Sequence, residues 1–173
     1  MRPFYTARVG NLTRIVTGYD TNGAPAILWQ GSSPTVIHAG RYTTTELWVS
    51  GRPPISPTTA DAATVEWTLE PPVGGACFRI VEIAPDEAEP DTAGPTAADS
   101  ELEPDHAEFQ GAHATDTLDY VTILRGEVTL VVGDAEVLLR PGDSVVQQPG
   151  VPHDWQNRSG QSAVMVGVLL SAR

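Results

Sequence analysis

Apolar and polar residues alternate in short runs along this chain, and almost every run is closed by Gly, Pro, Asn or Asp. "LTRIVTG", "APAILWQ", "TVIHAG", "TTTELWVS", "TVEWTL" and "ACFRIVEI" read as strands in the first half, being rich in Val, Ile, Thr and aromatic residues. "TLDYVTIL", "EVTLVVG", "AEVLLR", "DSVVQQ" and "SAVMVGVLL" follow in the second, with tight turns at Gly126, Gly133-Asp134 and Pro141-Gly142-Asp143. No segment holds the 3.6-residue apolar period of an amphipathic helix. Many short strands joined by turns predict an all-β sandwich or barrel. One region breaks the pattern. Residues 84–111, "APDEAEPDTAGPTAADSELEPDHAEFQG", bury too little apolar surface to offset their ordering entropy, and read as a flexible acidic excursion from one barrel edge. The expected organisation is a single domain over residues 1–173. Its N-terminal strands come from 12–83, the acidic insertion from 84–111 and the second strand-rich part from 112–173.

Strand parity brings in the candidate chemistry. Alternate side chains of a strand share a face, so "AHATDTLDYVTIL" as one strand would point His113, Thr115, Thr117, Asp119, Val121 and Ile123 the same way. That face begins polar and ends apolar, as in a strand running from a barrel mouth into its core. Asp116 and Tyr120 would point outward, Tyr120 toward sheet packing or an interface. Downstream, His153, Trp155 and Asn157 share parity, with Trp155 a wall of the same pocket.

Composition then narrows the function classes. At 173 residues the chain can build one sizeable core. Its net charge of −12 is mostly local, because nine acids and no basic residue lie between Asp86 and Glu108. No basic patch is left to neutralise phosphates, so nucleic acid is not an expected partner. All ten basic residues are Arg, which removes lysine Schiff-base and lysine general-base chemistry. Cys77 is the only cysteine, so neither an internal disulfide nor a cysteine-rich zinc cluster can form. No apolar run reaches membrane-spanning length, and the first residues lack a secretory h-region, so a cytoplasmic location with no membrane partner is expected. The sequon at Asn11 then carries no meaning.

With these residues in place, the sequence resembles the cupin superfamily. His113, Asp119 and Gly126 fit its first motif, and Gly142, Gly150, His153 and Asn157 fit its second. The "H-x-T-D-T-x-D-Y" form is similar to a group of small cupins. The resemblance implies a double-stranded β-helix, the cupin jelly-roll barrel, and a homodimer paired through N-terminal strands. Four departures matter. Thr115 stands where many cupins carry a second metal histidine, and Asp119 where they carry Glu. Gln148 replaces a proline, and no glycine stands five residues before His113.

The implied metal set is therefore His113, Asp119 and His153, two imidazoles and a carboxylate able to take a divalent iron, zinc, manganese or nickel ion. Two other readings stand beside it: a metal-free acid–base site, and a purely structural polar network. Thr115 is expected beside any such ion as a supporting group, with Thr117, Gln147 and Trp155 toward substrate and Gln148 a further candidate. His38 and His106 have no partner spacing and are taken as incidental. The expected function is a metal-dependent enzyme acting on a small oxygenated metabolite, with His113, His153 and Asp119 catalytic. Dehydration, decarboxylation, cyclisation or isomerisation would suit, as would oxygenation with iron. The alternative is a cupin that binds or senses a small ligand without turnover.

Overall fold

A computed structural model describes residues 12–58, 60–87 and 111–173. Residues 88–110, His106 among them, and the Asn11 sequon lie outside the described residues. Those described form strands and loops, with no helix. A first hairpin joins β1 (Arg14–Tyr19) to β2 (Pro25–Gly31). It turns at Asp20, whose carboxylate accepts the Asn22 and Ala24 amides.

The main sheet has six strands. β3 (Val36–Ala39), β4 (Tyr42–Ser50) and β5 (Ala76–Ile83) are followed across it by β11 (Ala163–Ser171), β6 (Thr117–Arg125) and β9 (Ser144–Gln147). A second sheet pairs β10 (Asp154–Gln156) with β7 (Val128–Val132), and β7 with β8 (Ala135–Leu139). The two sheets face each other across an apolar core that includes Ile83, Ile123, Val128, Leu130, Trp155 and Met165. Every adjacent pair in both sheets is antiparallel. This is the all-β, double-stranded β-helix architecture that the sequence predicts.

Gly126 shows why the β6–β7 corner needs glycine. Its φ is 69°, and a Cβ there would stand 2.7 Å from the Ser162 carbonyl oxygen and 2.8 Å from Ala163 Cα.

Three elements differ from expectation. "TVEWTL" is not a strand, and residues 64–73 form an irregular strap tied to β5 through the Thr68 and Leu69 carbonyls on Arg79. β10 is an additional strand of three residues, too short for alternation to reveal. The strand expected from His113 onward begins only at Thr117. His113 instead exchanges two backbone hydrogen bonds with His153, N to O distances of 3.0 and 2.9 Å, as an isolated bridge.

At the start of the acidic excursion, Asp86 is tied down. Its amide donates to the Asn157 carbonyl at 2.8 Å and its carboxylate accepts the Asn157 amide at 3.0 Å. Asn157, fully buried, donates through its side chain to the Ile83 and Gln161 carbonyls. The last motif residue thus works as a clamp between strand ends.

Candidate functional site

The backbone bridge between residues 113 and 153 brings two imidazoles together. Their ring centroids are 4.7 Å apart and their planes are inclined by 52°. Nδ1 of His153 lies 3.1 Å from the Val151 carbonyl oxygen, and Nδ1 of His113 lies 3.4 Å from that of Gly111. A carbonyl can only accept, so each Nδ1 carries hydrogen and Nε2 is the lone-pair nitrogen of the neutral ring. Trp155 meets His153 edge-on, with centroids 6.0 Å apart.

Both imidazoles line a cavity of about 80 Å³ inside the barrel. Thr115 and Asp119 share it with them, as do the apolar side chains of Val121, Trp155, Met165 and Leu169. Strand parity accounts for much of this, since Asp119, Val121, Leu169 and Val81 alternate inward from β6, β11 and β5.

Asp119 is 7 % exposed. Thr115 and Thr117 hydroxyls are joined at 2.7 Å. Oδ1 of Asp119 is buried with no hydrogen-bond partner among the described residues. Burial raises the Asp119 pKa, while the Thr117 hydroxyl, the Arg79 guanidinium and His113 pull against it. Burial lowers the His153 pKa, so this ring is neutral at neutral pH despite its bond to Val151. A carboxyl inclined to keep its proton and an imidazole inclined to lose one thus share a small apolar space.

The proposed metal ligands divide. No group of three or more His, Cys, Asp or Glu side chains among the described residues is placed to hold one ion. The imidazoles are paired through the 113–153 bridge, whereas Asp119 sits within β6, in register with Leu169 and Gln147. The described residues do not fit a three-ligand set. Two other expected site residues lie outside the cavity lining. Thr117 stands behind Asp119, and Gln147, 4 % exposed, donates to the Val151 carbonyl at 3.2 Å. Tyr120 faces outward, 48 % exposed. His38 lies on exposed β3, with Nδ1 3.0 Å from the Thr43 hydroxyl.

Arg79, Tyr42, Thr44 and Leu69 also line the cavity, and sequence reasoning passed over them. Arg79 left a signal, as the one charged residue at an inward position of "ACFRIVEI". Buried Glu46 pairs with it at 2.8 Å, but a bulge between Glu46 and Trp48 hides its inward parity.

Residues 99–169 match the Cupin_2 family, described as a cupin domain. Two curated proteins of Diaporthe leptostromiformis, "Phomopsin biosynthesis cluster protein C'" and "Phomopsin biosynthesis cluster protein D", are each 41 % identical over 63 residues. Those matches span 35 % of this chain and 33 % of each relative. Among solved structures, a Cupin 2 conserved barrel domain protein from Salinispora arenicola is 17 % identical, with a TM-score of 0.46 over 80 % of this chain and 82 % of that one. A cupin superfamily protein from Desulfitobacterium hafniense is 10 % identical, with a TM-score of 0.44 over 78 % and 82 %. Residues 99–169 thus resemble a cupin domain, and within that span and its neighbouring strands two antiparallel sheets close around the paired imidazoles.

Proposed function

We propose that the chain is an enzyme that moves protons on a small oxygenated metabolite inside the barrel cavity. The observation that carries this reading is the pairing, in one buried space, of a neutral His153 with an Asp119 whose Oδ1 has no partner. Titratable groups whose surroundings push their pKa values apart are suited to acid and base roles. His153 Nε2 takes a proton from carbon or hydroxyl, with its ring oriented by Nδ1–H on the Val151 carbonyl. Asp119 Oδ1 delivers a proton to the oxygen that leaves or is rearranged. Apolar walls from Val121, Trp155 and Met165 exclude water and strengthen both hydrogen bonds. Dehydration, cyclisation and isomerisation all fit that pair, and a cavity of about 80 Å³ admits a reacting group of only a few heavy atoms. Two relatives named for a biosynthesis cluster support a place in a biosynthetic pathway.

A second reading, a divalent iron, zinc, manganese or nickel ion on the two imidazoles, is favoured by one observation. Both rings hold Nδ1 against backbone carbonyls and keep Nε2 for another partner, the arrangement seen at histidine metal ligands.

Turnover by the purified protein, with substrates drawn from its genomic neighbourhood, tests the first reading. His153→Gln should lower kcat/KM by about 10²- to 10⁴-fold, the usual worth of a positioned base, without weakening binding. Unchanged turnover in that variant would sink the acid–base assignment. Binding of wild type without any product would establish the sensor alternative instead. Metal content retained by wild type but lost from His113→Ala would establish the two-imidazole ion site.

A further inference from the structure

Gly167 stands where the barrel could have carried a side chain. It is an inward position of β11, between Met165 and Leu169, and all three line the cavity. Arg79 of β5 is in register with it on one side and Val121 of β6 on the other. A glycine inside a strand packs nothing and loses more chain entropy on folding than any other residue. It therefore marks a bulge, an unusual backbone angle or a close approach.

Neither of the first two applies. The register of β11 against β5 runs unbroken from Ala163 to Leu170, and its shift against β6 falls earlier, between Val164 and Met165. The backbone at Gly167 is extended, outside the left-handed region. A Cβ there would stand 3.3 Å from Leu169 Cδ1 and 3.9 Å from Val121 Cγ2, both side-chain atoms, whereas at Gly126 it would strike backbone. The approach that remains is that of a ligand.

The borders of this slot indicate which part of a ligand it takes. Met165, Leu169 and Val121 are apolar, and both Nη atoms of Arg79 are bonded to the Leu69 and Thr68 carbonyls. Asp119 is in register with Leu169, so it lies two residues of strand rise, about 7 Å, from the Gly167 row. A tail of a few carbons covers that span from an oxygen held at Asp119. We propose that Gly167 is a specificity-determining residue, whose bare backbone receives the unbranched apolar tail of a metabolite reacting at His153 and Asp119 through its oxygenated end. This role rests on the reading of the cavity as the reaction site, and adds which substrates that site accepts.

Titration with acetone, 2-butanone and 2-pentanone, followed by the NMR signals of the His153 imidazole and the Trp155 indole, tests it. Affinity of the wild type should rise along the series. The tail methyl of bound 2-pentanone should show a nuclear Overhauser effect to the Gly167 Hα protons. In Gly167→Ala the added methyl takes the slot, so the preference for 2-pentanone over acetone should fall about tenfold or more, the usual worth of one methylene in an apolar pocket. An unchanged preference in Gly167→Ala would overturn the role of Gly167 and leave the cavity as the reaction site. A tail methyl whose Overhauser effects lead elsewhere would do the same, and that arm needs no variant to fold. If none of the three ketones perturbs His153 or Trp155 in the wild type, the slot and the reaction site fall together.

Discussion

Two buried carboxylates in the same barrel have opposite company. Glu46, at the strap end, is 1 % exposed and faces the guanidinium of Arg79. Asp119, beside the imidazoles, is 7 % exposed and has a threonine hydroxyl for support. Burial raises both pKa values, and Arg79 opposes that at each, by direct pairing at Glu46 and through space at Asp119. Each keeps one oxygen without a partner among the described residues. What differs is compensation. A buried charge with a bonded counter-charge holds structure together, whereas one held by a neutral hydroxyl is left poised to exchange its proton.

The contrast breaks most sharply at the ion pair. Arg79→Met removes the partner of a buried charge and should cost about 3–5 kcal/mol. Replacing both members, Arg79→Met with Glu46→Leu, should recover most of that loss, because a well-packed apolar pair carries no desolvation penalty. Urea denaturation of the three proteins measures it, and a double variant no better than the single one would show that the pair is needed as a pair.

A smaller effect of opposite sign is expected at Asp119. Asp119→Asn should stabilise the fold by about 0.5–2 kcal/mol at neutral pH while removing turnover, the usual exchange at a site strained for function. The sign follows from linkage. A carboxyl whose folded pKa is raised contributes stability below its unfolded value of about 4, and that contribution is lost as pH rises through the folded value. The advantage of Asp119→Asn should therefore grow as pH rises. His153 runs the other way: its lowered pKa contributes stability above about 6.5, lost as pH falls toward the folded value. Thermal scans of wild type and Asp119→Asn from pH 4 to 8 check both, and a pH-independent difference would remove Asp119 from the titrating groups.

The mildest effect is expected outside the barrel. On the outer face of the six-stranded sheet, Phe78, Val168, Tyr120 and Val146 are registered side by side across four strands, with Phe78, Tyr120 and Val146 at 41 %, 48 % and 61 % exposure. The homodimer expected from the sequence would have this row to bury in addition to its N-terminal strands. Tyr120→Asp should then shift light-scattering mass from dimer to monomer with little change in the folded barrel, and a wild-type monomer would leave the row uncovered.

Much of the barrel was legible because its strands obey a two-residue alternation that burial imposes. "ACFRIVEI" coincides with β5, and "TLDYVTIL" with all but the last residue of β6. The same rule misled at "TVEWTL", where Val65, Trp67 and Leu69 alternate although the carbonyls of Thr68 and Leu69 go to a guanidinium. Alternation reports which side chains are buried, and says nothing of where the backbone finds its partners. Within the site, His113, His153 and Asp119 were singled out by motif spacing and Thr115 and Trp155 by parity, and all five line the cavity. The Glu46–Arg79 pair was not, because it joins strands through a register that the bulge beside Glu46 displaces.

The bridge between His113 and His153 carries a consequence for how the protein assembles. The paired imidazoles belong to segments about 40 positions apart, and closing a loop of that length costs chain entropy before any contact repays it. No strand pairing holds His113 locally, since β6 begins only at Thr117. The imidazole pair therefore comes into being only when β7 to β10 have folded back across the main sheet. The site therefore exists only in the closed barrel, and closure and the imidazole pair should be lost together on unfolding.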